Sequence, residues 1–88
     1  MKYEYDAKKL AANVQNHKIW FHEANFFEWS TAVIRIDGRH SYPETRFEAI
    51  GYIDSRLYVL VFCLRISRVR IISLRKANTR EVNRYANS

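Results

Sequence analysis

The sequence predicts an α+β fold in which helices pack on a mainly antiparallel β-sheet. Apolar residues change from helical to strand spacing after Trp29, and the strands that follow are joined by short turns. Helical patterns precede this point and return at the C-terminus, so the predicted order is β-α-α-β-β-β-β-α. This grouping is typical of a two-layer α+β domain. With 88 residues there is room for one domain, assigned to residues 1–88.

The first third of the chain predicts a short strand followed by two helices. Residues 2–5 alternate as a strand does, and Asp6 is a suitable N-cap for a helix over residues 7–14. Residues 22–27 predict a second, shorter helix. A final helix, with Thr79 as its cap, is expected to end the chain.

The middle of the chain predicts four further strands, over residues 31–37, 45–53, 57–64 and 69–75. The third of these is apolar on both faces, which indicates a central position in the sheet. Strict alternation in the last strand places Arg70 on one face with Leu74 and puts Arg75 on the other. We expect the helices to cover one face and the other face to carry polar and charged side chains.

Positive charge is concentrated in the last third of the chain. From Arg56 onward there are eight basic residues and one acidic residue, whereas residues 1–55 hold seven basic and eight acidic residues. Clustered arginine favours a polyanionic partner, because the planar guanidinium matches phosphate oxygens. A solvated surface that only maintains solubility is the alternative interpretation.

Composition excludes several classes of protein. The chain is 48% hydrophobic, which indicates a folded protein, but no apolar run approaches the ~20 residues needed to cross a bilayer. The N-terminus lacks the apolar stretch of a signal peptide, and the single cysteine, Cys63, is expected in the core. We therefore expect a cytoplasmic protein without membrane association. The three histidines lack zinc spacing and no glycine-rich phosphate loop is present, so no metal or cofactor is expected.

The residues allow one specific chemistry, RNA cleavage without a metal ion. The ribose 2′-hydroxyl would attack the adjacent phosphate, which requires a base, cations for the phosphoryl oxygens and an acid for the leaving oxygen. Arg46, Arg70 and Arg75 suit the cationic role, although ion pairs with nearby glutamates would explain them equally. The candidate proton carriers are His17, His40, Glu44, Glu48, Lys9 and Tyr85.

Three blocks of sequence resemble the BrnT family of toxins from bacterial type II toxin–antitoxin systems. The first runs from Tyr5-Asp6 through Asn13 and His17 to Phe21, and the second is Glu44-Thr45-Arg46-Phe47 leading into Ile50-Gly51. The third and most specific is Arg70-Ile71-Ile72-Ser73-Leu74-Arg75-Lys76-Ala77, followed by Glu81 and Tyr85. Two positions depart from the family pattern, where Asn16 replaces a lysine and Lys18 replaces a glycine.

The resemblance implies a fold similar to the RelE-like ribonuclease toxins and an endoribonuclease that cleaves RNA and so inhibits translation. It also implies a neighbouring BrnA-like antitoxin with a ribbon-helix-helix DNA-binding part, which would neutralise the toxin and bind promoter DNA as a complex. We expect catalytic roles for Arg46, Arg70, Arg75, His17 and Glu48. We expect RNA-binding roles for Lys9, Lys18, Arg68, Lys76 and Tyr85. The alternative is a nucleic-acid-binding module without chemistry, or an inactive relative.

Overall fold

The structure, a computed structural model, describes residues 1–39 and 42–88 of the chain. These residues form five strands, two α-helices and two short 3₁₀ helices. The strands are β1 (Tyr3–Glu4), β2 (Val33–Ile36), β3 (Phe47–Ile53), β4 (Arg56–Arg65) and β5 (Arg68–Lys76). The helices are α1 (Ala7–His17), α2 (Thr79–Ala86) and the 3₁₀ helices Phe21–Phe26 and Trp29–Thr31. The predicted second helix is thus present in 3₁₀ form, which is common in such short segments.

The five strands form one mixed sheet in the order β1-β5-β4-β3-β2. Strands β2 to β5 pair antiparallel with their chain neighbours, as the short connections predict, and β4 is central. The first strand departs from this pattern because β1 pairs parallel with β5, with Tyr3 opposite Val69 and Glu4 opposite Arg70. The long connection through the helices makes this parallel pairing possible.

A bulge in the pairing of β4 and β5 changes the face of the sheet on which Arg70 lies relative to Arg75. The register shifts between Val61 and Phe62, so that Cys63 lies opposite Arg70 while Val59 lies opposite Arg75. Side chains alternate along β4, and one extra residue in β5 resets the alternation there. Arg70 and Arg75 therefore share one face of the sheet, and the prediction that they lie on opposite faces was wrong.

Helices cover parts of both faces, and the prediction that they cover only one was wrong. The first face carries the larger apolar core, in which Phe21 and Ala24 pack against strand residues such as Leu60 and Ile71. The opposite face carries a smaller cluster that includes Val59 and is joined by Tyr85 of α2. The smaller cluster leaves the rest of this second face available for charged side chains.

Side-chain caps define where both α-helices begin. The Asp6 carboxylate accepts a hydrogen bond from the Lys8 backbone N–H, as the sequence predicts. Helix α2 is capped by Asn78 and not by Thr79, which is its first helical residue. The Asn78 side chain accepts from the Glu81 N–H, and the Glu81 carboxylate accepts from the Asn78 N–H, which forms a capping box. No helix in residues 1–39 and 42–88 is both long and apolar enough to span a membrane.

Candidate active site

A small cationic cavity lies on the second face of the sheet, where β4 and β5 approach their shared turn. Its volume is about 200 Å³. Four basic side chains, Lys9, Arg46, Arg65 and Arg70, contribute to its walls. The cavity is also lined by Tyr42, Pro43, Glu44, Cys63 and Ile72. Four cations around one concave surface favour an anionic ligand, because their fields add in a partly enclosed site.

The position of Arg70 follows from the parallel pairing of β1 with β5. Glu4 lies opposite Arg70 in the sheet, and its carboxylate accepts a hydrogen bond from Arg70 Nη1 at 2.7 Å. This hydrogen bond raises the pKa of Arg70 above its ordinary value. The guanidinium is therefore held in one orientation, and its remaining N–H groups are available for a ligand.

An aromatic ring holds the second arginine of the cavity. The guanidinium carbon of Arg46 lies 3.8 Å from the centre of the Tyr42 ring, in a cation–π contact. The backbone carbonyl of Arg46 also accepts a hydrogen bond from the Asp37 N–H at 2.8 Å, which closes the loop between β2 and β3. Arg46 is half-buried as a result. It faces the same cavity as Arg70 although the two residues are separated by 24 positions in the chain.

Lys9 connects this cavity to a second one of about 160 Å³. The second cavity lies between α1 and β5, and Lys9 and Ile72 contribute to both. His17, at the end of α1, lines the second cavity together with Asn16 and Ser73. Within the described part of the chain the Lys9 side chain makes no hydrogen bond or ion pair, so its ammonium is free to contact a ligand. Helix α1 thus brings a lysine and a histidine to the cationic surface.

A third cavity of about 300 Å³ adjoins the first on the side of the β2–β3 loop. Tyr42, Pro43, Glu44 and Arg46 line both cavities, and Ile36, Asp37, Gly38 and Thr45 complete the third. The first cavity thus shares lining residues with each of the other two, and we call the surface lined by all three the cationic groove. It runs from His17 past Lys9 and Arg70 to the β2–β3 loop.

Glu48 is held in an ion-pair network with Arg35 and Arg84. Glu48 is 3% exposed, and its Oε1 atom accepts hydrogen bonds from Arg35 Nε at 3.0 Å and from Arg84 Nη2 at 2.9 Å. These contacts join β2, β3 and α2. Glu48 does not line any of the three cavities of the described chain.

Arg75 makes a two-pronged ion pair with Glu81. Its Nη1 and Nη2 atoms each donate to a Glu81 carboxylate oxygen at 2.7 Å. The hydrogen bonds raise the pKa of Arg75 and lower the pKa of Glu81. This pair fixes the start of α2 to β5, and Arg75 is outside the three described cavities.

The remaining residues predicted from sequence to bind RNA lie in separate parts of the surface. Lys18 has a left-handed backbone at the end of α1, and its ammonium donates to the Gln15 carbonyl at 2.9 Å. Arg68 and Lys76 are exposed at opposite ends of β5. The Tyr85 hydroxyl donates to the Thr31 carbonyl at 3.1 Å, and its ring packs edge-on against Tyr52. His40, a further candidate proton carrier, lies outside the described residues.

Sequence reasoning missed several residues that line the cationic groove, and Glu4, which orients Arg70 within it. Glu4 gave no signal because only the parallel pairing of β1 places it beside Arg70. Tyr42 was predicted to lie in a loop and was given no role. Arg65 was counted among the basic residues but was not a candidate site residue. Cys63 is buried as predicted, but it also contributes to the wall of the first cavity. The described residues contain no cluster of three or more His, Cys, Asp or Glu side chains suited to a metal ion.

The chain matches the model of a known protein family over most of its length. A model of the family described as "Ribonuclease toxin, BrnT, of type II toxin-antitoxin system" matches residues 5–81. The chain belongs to this family. The BrnT match includes all four basic residues that line the first cavity, and membership implies an RNA substrate and an antitoxin partner. No match to the chain is found among curated proteins.

Proposed function

We propose that this BrnT-family toxin is a metal-independent endoribonuclease whose active site is the cationic groove. The observation that carries the proposal is the convergence of Arg46, Arg70 and Lys9 on one cavity. These residues come from a loop boundary, a strand and a helix that are distant in sequence. Fixed cations in a concave site can supply the charge stabilisation that phosphoryl transfer needs.

The proposed reaction is an internal transesterification of RNA. The 2′-oxygen forms a bond to the adjacent phosphorus, and the bond from phosphorus to the 5′-oxygen of the next nucleotide breaks. The 2′-hydroxyl proton passes to a base, and an acid delivers a proton to the leaving 5′-oxygen. The products are a 2′,3′-cyclic phosphate and a free 5′-hydroxyl, so no water or cofactor is consumed in this step.

We assign the charge-stabilising role to Arg70 and Arg46, because Glu4 and Tyr42 hold their side chains toward the cavity. Arginine suits this role because it stays charged and donates several hydrogen bonds to phosphoryl oxygens. Lys9 contacts the substrate from the opposite wall.

We propose His17 as a proton carrier, since an imidazole ring has one nitrogen that can donate a proton and one that can accept it. Its position in the cavity next to that of Arg70 supports this role. Glu48 and Arg75 are proposed to act indirectly, by holding α2 on the sheet through Arg84 and Glu81.

The wider surface is proposed to guide the RNA chain. Lys18, Arg68 and Lys76 are exposed cations outside the groove, and Tyr85 belongs to α2. Such contacts with phosphates are not specific for sequence and weaken as salt rises. Cleavage of messenger RNA in this way would inhibit translation in the cytoplasm.

The finer features of the BrnT resemblance are part of the same proposal. Residues 1–88 form one RelE-like toxin domain, and the antitoxin is a BrnA-like protein with a ribbon-helix-helix part. The complex would bind its own promoter DNA. Exposed apolar side chains such as Trp20 and Phe26 provide a surface suited to protein docking.

The proposal is tested by incubating the purified, antitoxin-free protein with total RNA in EDTA. Wild-type protein should produce fragments with 2′,3′-cyclic phosphate and 5′-hydroxyl ends, and Arg70→Ala should produce about 100- to 1,000-fold fewer. Arg56→Ala is the matched control, since Arg56 lies seven residues along β4 from Cys63, roughly 23 Å away. RNA binding without cleavage by the wild type would instead favour a module without chemistry.

A further inference from the structure

We infer that the third cavity, beside the β2–β3 loop, is a nucleobase-binding subsite that selects guanine through Glu44. This inference rests on the proposed function, because it places the scissile phosphate at Arg46 and Arg70. The cavity adjoins that position and shares Tyr42, Glu44 and Arg46 with it. A base attached to the bound phosphate has this space directly beside it.

The walls of the subsite are suited to the faces of a base. Tyr42 contributes an aromatic ring and Ile36, which is 66% exposed, contributes an apolar side chain. Arg46 supplies a guanidinium that already stacks on the Tyr42 ring. Sequence-specific RNA recognition commonly uses unstacked bases held against aromatic rings or guanidinium planes. The volume of about 300 Å³ is at the lower end of the range for small-ligand sites.

Two carboxylates line the subsite, and only one of them is available for recognition. Both oxygens of Asp37 are engaged by Arg39, whose Nε and Nη2 donate at 2.9 Å. Glu44 pairs with Arg65 through Oε1 alone, at 2.9 Å, and its side chain is 46% exposed. Its second oxygen has no partner among the described residues. Glu44 therefore lines this cavity with acceptor capacity that the described residues leave unused.

A carboxylate acceptor selects among bases by their hydrogen-bond donors. Guanine presents two adjacent donors on its Watson–Crick edge, N1–H and the N2 amino group, which match the two oxygens of one carboxylate. Adenine and cytosine place an acceptor beside their single amino group, and uracil flanks its one N–H with two carbonyls. A carboxylate at this position therefore favours guanine over the other three bases.

The test measures the rate at which the protein cleaves four RNA oligonucleotides that differ only in the base on the 5′ side of the cut. A second set of four oligonucleotides then varies only the base on the 3′ side. Wild-type protein should cleave the guanine-containing substrate fastest on one of the two sides. Glu44→Gln should reduce that preference about tenfold, because an amide offers one acceptor and one donor. Glu23→Gln, in the first 3₁₀ helix and outside the groove, should leave the preference unchanged.

Arg65→Gln separates base recognition from the ion pair that Glu44 makes. It should lower cleavage of all four substrates by a similar factor while guanine remains preferred. Equal cleavage of all four by wild type, or an unchanged guanine preference in Glu44→Gln, would overturn the inference and leave the nuclease proposal standing. Absence of cleavage of any RNA by wild type would overturn both.

Discussion

The side chain of Asn13 replaces a strand partner for the backbone of Leu74. Its Nδ2 donates to the Leu74 carbonyl at 2.8 Å, and its Oδ1 accepts from the Leu74 N–H at 3.0 Å. The same Nδ2 donates to the Ile19 carbonyl at 3.0 Å, although Asn13 is only 4% exposed. One buried amide thus fixes α1 to β5, and Lys9 and His17 on α1 are placed by that contact.

Asn13→Ala should lower the free energy of unfolding by about 3 kcal/mol, because three buried backbone groups lose their partners. Urea denaturation at neutral pH measures this effect. Asn16→Ala, on the same helix but exposed, is the matched control and should change stability by less than about 0.5 kcal/mol. Equal stability of Asn13→Ala and wild type would contradict the structural role assigned to Asn13.

Gly51 is required because an aromatic ring occupies the space where a side chain would begin. A Cβ atom at this position would lie 2.6 Å from Phe27 Cζ. Phe27 is 5% exposed and packs edge-on against Trp29, so its ring has little room to move. Gly51→Ala should therefore destabilise the protein by about 1–3 kcal/mol in thermal or urea unfolding.

Gly38→Ala is the control for the Gly51 substitution, because a Cβ at Gly38 would meet no atom of the described residues within 4 Å. Its stability should equal that of wild type or exceed it slightly, since alanine restricts the unfolded chain. A Gly51→Ala protein as stable as Gly38→Ala would show that the Phe27 ring can be displaced at little cost.

Arg75 should prove necessary for stability and not for the chemical step. Removing its side chain leaves the mostly buried Glu81 carboxylate without two hydrogen bonds, which should cost about 2 kcal/mol. Under conditions where the protein is fully folded, Arg75→Ala should keep RNA cleavage within about threefold of wild type, whereas Arg70→Ala should lose about 100-fold or more. Single-turnover cleavage beside circular dichroism separates the two effects. If the Arg75→Ala protein is folded but inactive, Arg75 takes part directly in the reaction and the purely stabilising role is wrong.

The Glu81 ion pair predicts a specific loss of stability in acid. Hydrogen bonds from Arg75 hold the pKa of Glu81 below its ordinary value, and those from Arg39 do the same for Asp37. A depressed folded pKa stabilises the protein above the unfolded pKa, and this stability is lost as pH falls through the folded pKa. The melting temperature should therefore decrease as the pH is lowered below about 5.

Glu81→Gln should be less stable than wild type at pH 7 and should show a smaller further loss between pH 5 and 3. The double variant with Asp37→Asn should have a flatter profile than Glu81→Gln alone, because two of the carboxyl groups with a lowered pKa are then absent, and Asp6 remains as a third. A Glu81→Gln profile parallel to that of wild type would show that other carboxyl groups cause the acid sensitivity.

Local pattern alone determined most of the secondary structure of this protein. Strand periodicity and short turns predicted the antiparallel pairing of β2 to β5, and the apolar run of β4 predicted its central position. The start of α1 at Asp6 also followed from sequence, because a cap requires only residues within one turn. Concentrated arginine predicted a cationic surface, and family-like motifs predicted the BrnT membership that the family match shows.

Only the tertiary structure decided which arginines meet in one cavity. The bulge opposite Val61 and Phe62 placed Arg70 and Arg75 on the same face, and α2 then paired Arg75 with Glu81. The parallel pairing of β1 oriented Arg70 through Glu4. These contacts join residues far apart in the chain, and one extra residue in a strand reverses the face of every side chain beyond it. The periodicity of the sequence does not predict such an insertion. The residues that line the cationic groove can therefore be identified only when the register of the strands is known.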